Sequence, residues 1–165
     1  MLFRSGYHGL IVESDLRGSE GAAAPAENII ERNVFAFNGG NGIYCDGKNG
    51  VTPSRGNAIR FNLFDRNNQA RAGSSGDGEL RIAGNFDDAL VYNNTFYAEK
   101  ANGILVQAGR EAAGGAQGAD AFADGLRLFN NIVVMAAQAP RLYPLRVVDP
   151  GAGLAADYEI GRAHV

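Results

Sequence analysis

The chain has 165 residues, 23 of them Gly and none Trp, and a formal net charge of −3. That length suits one domain with a real core. The mild acidity argues against nucleic acid or an anionic membrane as partner, and no apolar run is long enough to span a bilayer. Cys45 is the only cysteine, so no internal disulfide forms and the residue reads as a small buried apolar group.

In chain order, strand-like segments come in two alternating kinds. "GLIVES" (9–14), "GIYCDG" (42–47), "ELRIAG" (79–84) and "GILVQAG" (103–109) align Leu10, Ile43, Leu80 and Ile104 in one column. Val12, Cys45, Ile82 and Val106 form a second. Alternation with more polar residues marks strands with one buried face. Between these segments, Asn33, Asn62, Asn94 and Asn131 recur at spacings of 29, 32 and 37 residues. Each has an apolar residue three positions before it (Ile30, Ile59, Val91, Leu128) and another two after (Phe35, Phe64, Phe96, Val133). A unit thus reads strand, variable loop, strand, Asn bend, strand, turn. Four buried amides in register predict side chains that satisfy one another from unit to unit. Asn57 stands outside that column, so Asn62→Leu is expected to cost more than Asn57→Leu. Glu31 and Arg60 occupy equivalent outward positions and predict a cross-strand pair. "GGNG" (39–42) reads as a turn between units. The segment 110–124 is Ala-rich but broken by Gly, and reads as loop. At "LRVVD" (145–149) a fifth unit begins.

The termini bear on how much of the protein this is. "IGRAHV" (160–165) matches one reading frame of a common short-read sequencing adapter and is set aside, which leaves 1–159 as a partial repeat domain. Met1 reads as an internal start, and "MLFRSGYHG" lacks the apolar core of a signal peptide. The chain is expected to be a fragment of a longer protein.

The repeat pattern over residues 8 to 150 resembles the right-handed parallel β-helix superfamily, that of pectate-lyase-like and related polysaccharide-active proteins. The resemblance implies an all-β fold of about four coils plus the start of a fifth, an asparagine ladder at one bend and aromatic residues stacked inside. It also implies an extracellular or cell-surface location, a protein monomeric at full length, and a polysaccharide as partner.

The longest insertions, 15–27, 47–56 and 108–124, all follow the first strand of a unit, where loops build the wall of a groove. Its floor would be the outward row Ile11, Tyr44, Arg81 and Leu105, and the next row Glu13, Asp46, Ala83 and Gln107. Glu13 and Asp46 on adjacent coils put carboxylates about 5 Å apart. Such a pair can share a proton, hold Ca²⁺, or act as acid and partner in glycoside cleavage. It equally fits a solvated charge ladder with Arg81. Tyr44 offers a flat face to a sugar, with Arg55 and Gln107 as further substrate contacts. By resemblance to β-helix lyases, a Lys or Arg abstracts the proton beside a uronate carboxylate, which brings in Lys48 and Arg55; Arg81 would pair with the acidic sugar, and Asp46, Glu13, Arg81 and Lys48 make up the expected catalytic set. His8 in "YHGL" supplies half of a Gly-His-Gly and is a secondary candidate base. The Gly-His-Gly and paired-Asp set of polygalacturonases and the Arg-x-Pro-x-x-Arg of pectate lyases are missing. The expected activity is therefore a secreted polysaccharide lyase or glycoside hydrolase working in an open groove, with a non-catalytic adhesin or glycan-binding module as the alternative. A preference for acidic polysaccharides follows from the Glu13, Asp46 and Arg81 arrangement.

Overall fold

The structure is a computed structural model, which describes residues 1–13, 26–47, 54–70, 77–84, 86–107, 123–136, 142–148, 151–157 and 160–161. All its regular elements among those residues are strands. After a short β1 (Leu2–Phe3) come β2 (Leu10–Glu13), β3 (Ile29–Glu31) and β4 (Val34–Ala36). The next circuit is β5 (Ile43–Gly47), β6 (Ser54–Arg55), β7 (Ala58–Arg60) and β8 (Leu63–Asp65). A third follows in β9 (Gly78–Gly84), β10 (Phe86–Asp87), β11 (Leu90–Tyr92) and β12 (Thr95–Ala98). The fourth is β13 (Asn102–Gln107), β14 (Arg127–Phe129) and β15 (Ile132–Met135), and the fifth β16 (Leu145–Val148), β17 (Ala155–Asp157) and β18 (Ile160–Gly161).

Each strand pairs in parallel with its counterpart one circuit on. The first sheet runs β2-β5-β9-β13-β16, the second β3-β7-β11-β14-β17 and the third β1-β4-β8-β12-β15-β18, with β6-β10 a two-stranded fourth. This all-parallel winding is consistent with a β-solenoid. The fifth circuit goes further than its sequence suggests: β17 and β18 continue the second and third sheets although "GLAADYEI" carries neither the Asn nor the Phe of the earlier units. Backbone pairing to β14 and β15 suffices there. β1 was also not expected as a strand; it lies under β4 with Leu2 opposite Val34.

The two apolar columns of the first sheet point inward, and Ile43, Cys45, Leu80 and Ile82 are fully buried. Ile30, Ile59, Val91 and Leu128 meet them from the second sheet, in register. Phe3, Phe35, Phe64 and Phe96 line the third as a column of stacked rings, with centroids 4.8, 5.2 and 4.5 Å apart. That spacing is the rise between parallel strands, so ring stacking and sheet pairing reinforce each other.

The asparagine column forms the expected ladder. The Asn33 backbone N–H donates to Asn62 Oδ1 at 3.0 Å, Asn62 to Asn94 Oδ1 at 3.0 Å, and Asn94 to Asn131 Oδ1 at 3.1 Å. Each of the first three amide groups also donates Nδ2–H to the next Oδ1. The residue before each rung, Arg32, Phe61, Asn93 and Asn130, has φ between 53° and 56°, the left-handed turn that aims the amide inward. Asn57 is not outside such an arrangement. It is fully buried, accepts from Asn28 N–H at 3.1 Å and Asn28 Nδ2–H at 2.9 Å, and donates to Ser54 Oγ at 2.8 Å. A third ladder joins Asn38 to Asn67 at the turn between circuits. In that turn Gly39 is obligatory, because a Cβ there would lie 2.0 Å from the Gly6 carbonyl oxygen. Glu31 and Arg60 pair as expected, Nε to Oε2 at 2.6 Å.

Candidate functional site

The outward face of the first sheet carries the residues on which chemistry can be built. In its first row Ile11, Tyr44, Arg81, Leu105 and Arg146 are successive register partners. The row is not uniformly open: Ile11 is exposed, Tyr44 and Arg81 are half-buried, and Leu105 is buried. In the second row Glu13 and Asp46 are direct backbone partners, as the alignment requires. Their side chains, like Lys48 and nearly all of the three long loops, lie outside the described residues. Farther along that row Ala83 is buried and Gln107 half-buried.

The Arg81 guanidinium sits 5.0 Å from the centre of the Tyr44 ring, a cation over an aromatic face. Among the described residues its ion pair is with Asp77, Nη1 to Oδ1 at 3.7 Å. The contact was not legible in sequence, because residues four apart in a strand stand about 13 Å apart. Only an arginine reaching back along its strand closes the distance. Arg81 Nε is buried and has no hydrogen-bond partner among the described residues. A buried donor left unpaired is costly.

Tyr44 continues the cluster toward the preceding circuit. Its ring is 5.2 Å from that of His8, and His8 is 4.4 Å from Tyr7. His8 Nδ1 accepts the Asn41 backbone N–H at 2.9 Å, which places the proton of the neutral ring on Nε2. Gly40 makes room for this ring; a Cβ there would sit 2.7 Å from Nδ1. Asp77 and Tyr7 are the members that sequence reasoning missed. Arg55 is placed elsewhere, on β6, where it pairs with Asp87 at 3.5 Å. Burial raises the Asp87 carboxyl above its usual range, and the Asp124 backbone N–H opposes that shift.

Among the described residues, no group of three His, Cys, Asp or Glu side chains is arranged to hold a metal ion. Among the described residues no helix is long and apolar enough to cross a membrane. What the described cluster offers is an aromatic face, a partly exposed guanidinium, and a histidine of fixed tautomer in a line across three circuits. No protein-family model, no curated protein and no solved structure matches this chain.

Proposed function

We propose that this chain is part of a right-handed parallel β-helix of the pectate-lyase-like kind, secreted or displayed at a cell surface, that binds a polysaccharide along the outer face of its first sheet. The observation that carries the reading is Arg81, its guanidinium over the Tyr44 ring and its side chain partly exposed on the outer face. A flat ring beside a guanidinium whose side chain is partly exposed suits a sugar bearing a carboxylate. In the lyase or hydrolase form of the proposal, Glu13 and Asp46 supply the carboxylates, with Ca²⁺ or a shared proton between them, and Lys48 or Arg81 acts beside the uronate. Gln107 would contact the polymer farther along the face.

A non-catalytic glycan-binding module is the second reading, and the Arg81–Asp77 pair favours it. A guanidinium held in an ion pair and over a ring recognises an anion well. Titration with acidic and neutral polysaccharides tests the shared core of both readings. Acidic polymers should bind more tightly, and Arg81→Ala should weaken binding at least tenfold. Equal binding of acidic and neutral polymers, or an Arg81→Ala variant that binds as wild type, would overturn it. Release of unsaturated or reducing ends on incubation then separates enzyme from binding module.

A further inference from the structure

At the bend between the second and third sheets, one residue per circuit adopts positive φ: Arg32 (56°), Phe61 (54°), Asn93 (53°) and Asn130 (53°). Asparagine tolerates this conformation, whereas a bulky side chain there is strained. The third and fourth circuits use Asn and the first two do not. Both large side chains are moreover held outward, Arg32 exposed and Phe61 49 % exposed. Strain together with exposure of an aromatic ring is a double cost, and the partners of the Phe61 ring are at its periphery: the edge of Tyr92 at 5.9 Å and the Arg60 guanidinium at 6.0 Å.

These two residues border an open, shallow depression of about 530 Å³ floored by ladder rungs, with Leu63, Asn93 and Thr95 also lining it. Among the described residues no carboxylate pairs with Arg32, and the adjacent Glu31 is already held by Arg60 at 2.6 Å. The depression therefore presents one unneutralised cation, one flat apolar ring and the polar side chains of Asn93 and Thr95. Arg32 and Asn93 are two circuits apart, about 10 Å, so a ligand touching both is longer than one sugar ring.

We propose that this bend is a second carbohydrate subsite, separate from the first-sheet face, which takes an acidic oligosaccharide with a sugar ring on Phe61 and its carboxylate on Arg32. Asn93 and Thr95 meet the hydroxyls of the neighbouring sugar. The proposal rests on the reading of the chain as polysaccharide-binding and deepens it, because two sites on different faces would let one protein hold a polymer at two points.

Calorimetric titration of the full chain with oligogalacturonate, its methyl ester and a neutral cello-oligosaccharide tests this, using wild type, Phe61→Asn, Arg32→Gln and Arg81→Ala. Asn already occupies this turn at 93 and 130, so Phe61→Asn should fold with an unchanged or higher Tm. Two sites are expected for oligogalacturonate on wild type. Phe61→Asn should remove one of them, and Arg81→Ala should leave that same one intact. Arg32→Gln should weaken oligogalacturonate at least tenfold there and leave the methyl ester unaffected. Wild-type binding by Phe61→Asn and Arg32→Gln, with all binding lost in Arg81→Ala, would overturn the subsite and leave the first-sheet reading standing. The reverse pattern would support the subsite and overturn the first-sheet face. Equal binding of acid and ester at this site would overturn the Arg32 pairing, and no binding of any oligosaccharide would overturn both readings.

Discussion

Asn67 donates three hydrogen bonds to the carboxyl group of Glu79: its backbone N–H to both oxygens at 3.0 and 3.1 Å, and Nδ2–H to Oε2 at 2.5 Å. Glu79 thereby closes the ladder that runs from Asn38 through Asn67, although it comes from β9 in the first sheet. Continuing the pairing of β8 with β12 by two residues would put Glu99 opposite Asn67, yet Glu99 is exposed and Glu79 takes the rung. A carboxyl group can mimic the amide oxygen there, and it is fully buried.

That substitution predicts a pH dependence. Burial pushes the Glu79 pKa from 4.5 up to about 8, with the Asn67 donors opposing the shift. Below about pH 4.5 the carboxyl is protonated folded or unfolded, and its full contribution to stability is present. As pH rises toward 8 the unfolded chain releases a proton that the fold retains, so stability falls and the loss is complete above about pH 8. A shift of this size corresponds to at most about 5 kcal/mol. Glu79→Gln keeps an acceptor for Asn67 and removes the titration. Denaturant unfolding at pH 5 and pH 9 should show wild type losing several kcal/mol more than the variant; parallel losses would disprove the assignment.

The ladders predict where amide removal is costly. Asn62 accepts from Asn33 and donates to Ile30 O at 2.8 Å, so Asn62→Leu should cost about 1–3 kcal/mol. Asn57→Leu should cost a similar amount, because Asn57 is the hub of its own buried set. Asn93→Gly, at an exposed positive-φ position, should change stability by no more than about 1 kcal/mol. A neutral Asn57→Leu would remove that second ladder from the account.

The ring column should be the most sensitive apolar element. Phe64 is fully buried between rings at 5.2 and 4.5 Å, so Phe64→Ala should cost about 3–5 kcal/mol. Phe61→Ala, three residues away with its ring half in solvent, should cost far less. Thermal unfolding of the two variants side by side is the measurement.

For the first-sheet face, Tyr44→Phe should preserve the ring beneath Arg81 and keep glycan affinity within about threefold. Tyr44→Ala should weaken it about tenfold, the scale of one cation–π contact plus lost stacking. Similar losses in both would assign the effect to the hydroxyl and not to the ring.

The strands, the inward columns, the Phe stack and the Asn33 ladder were legible in the sequence. Each repeats from circuit to circuit, and parallel pairing places like beside like, so the linear spacing already contains the contact. The Asn57 and Asn67 ladders were not legible, because each holds only two asparagines and continues through a different group, Ser54 in one and Glu79 in the other. Glu79 was hidden further by its position in an alternating strand, where nothing local says that its carboxyl will turn into a neighbouring bend. The Arg81 partner was decided in the same way: register offers Tyr44 beside it, but the reach of a long side chain chose Asp77. Sequence determined the winding because backbone hydrogen bonding and apolar burial act through the repeat period. The tertiary structure alone decided the polar contacts, because a charged or amide group deprived of water takes whichever partner geometry brings within about 3 Å, wherever in the chain it lies.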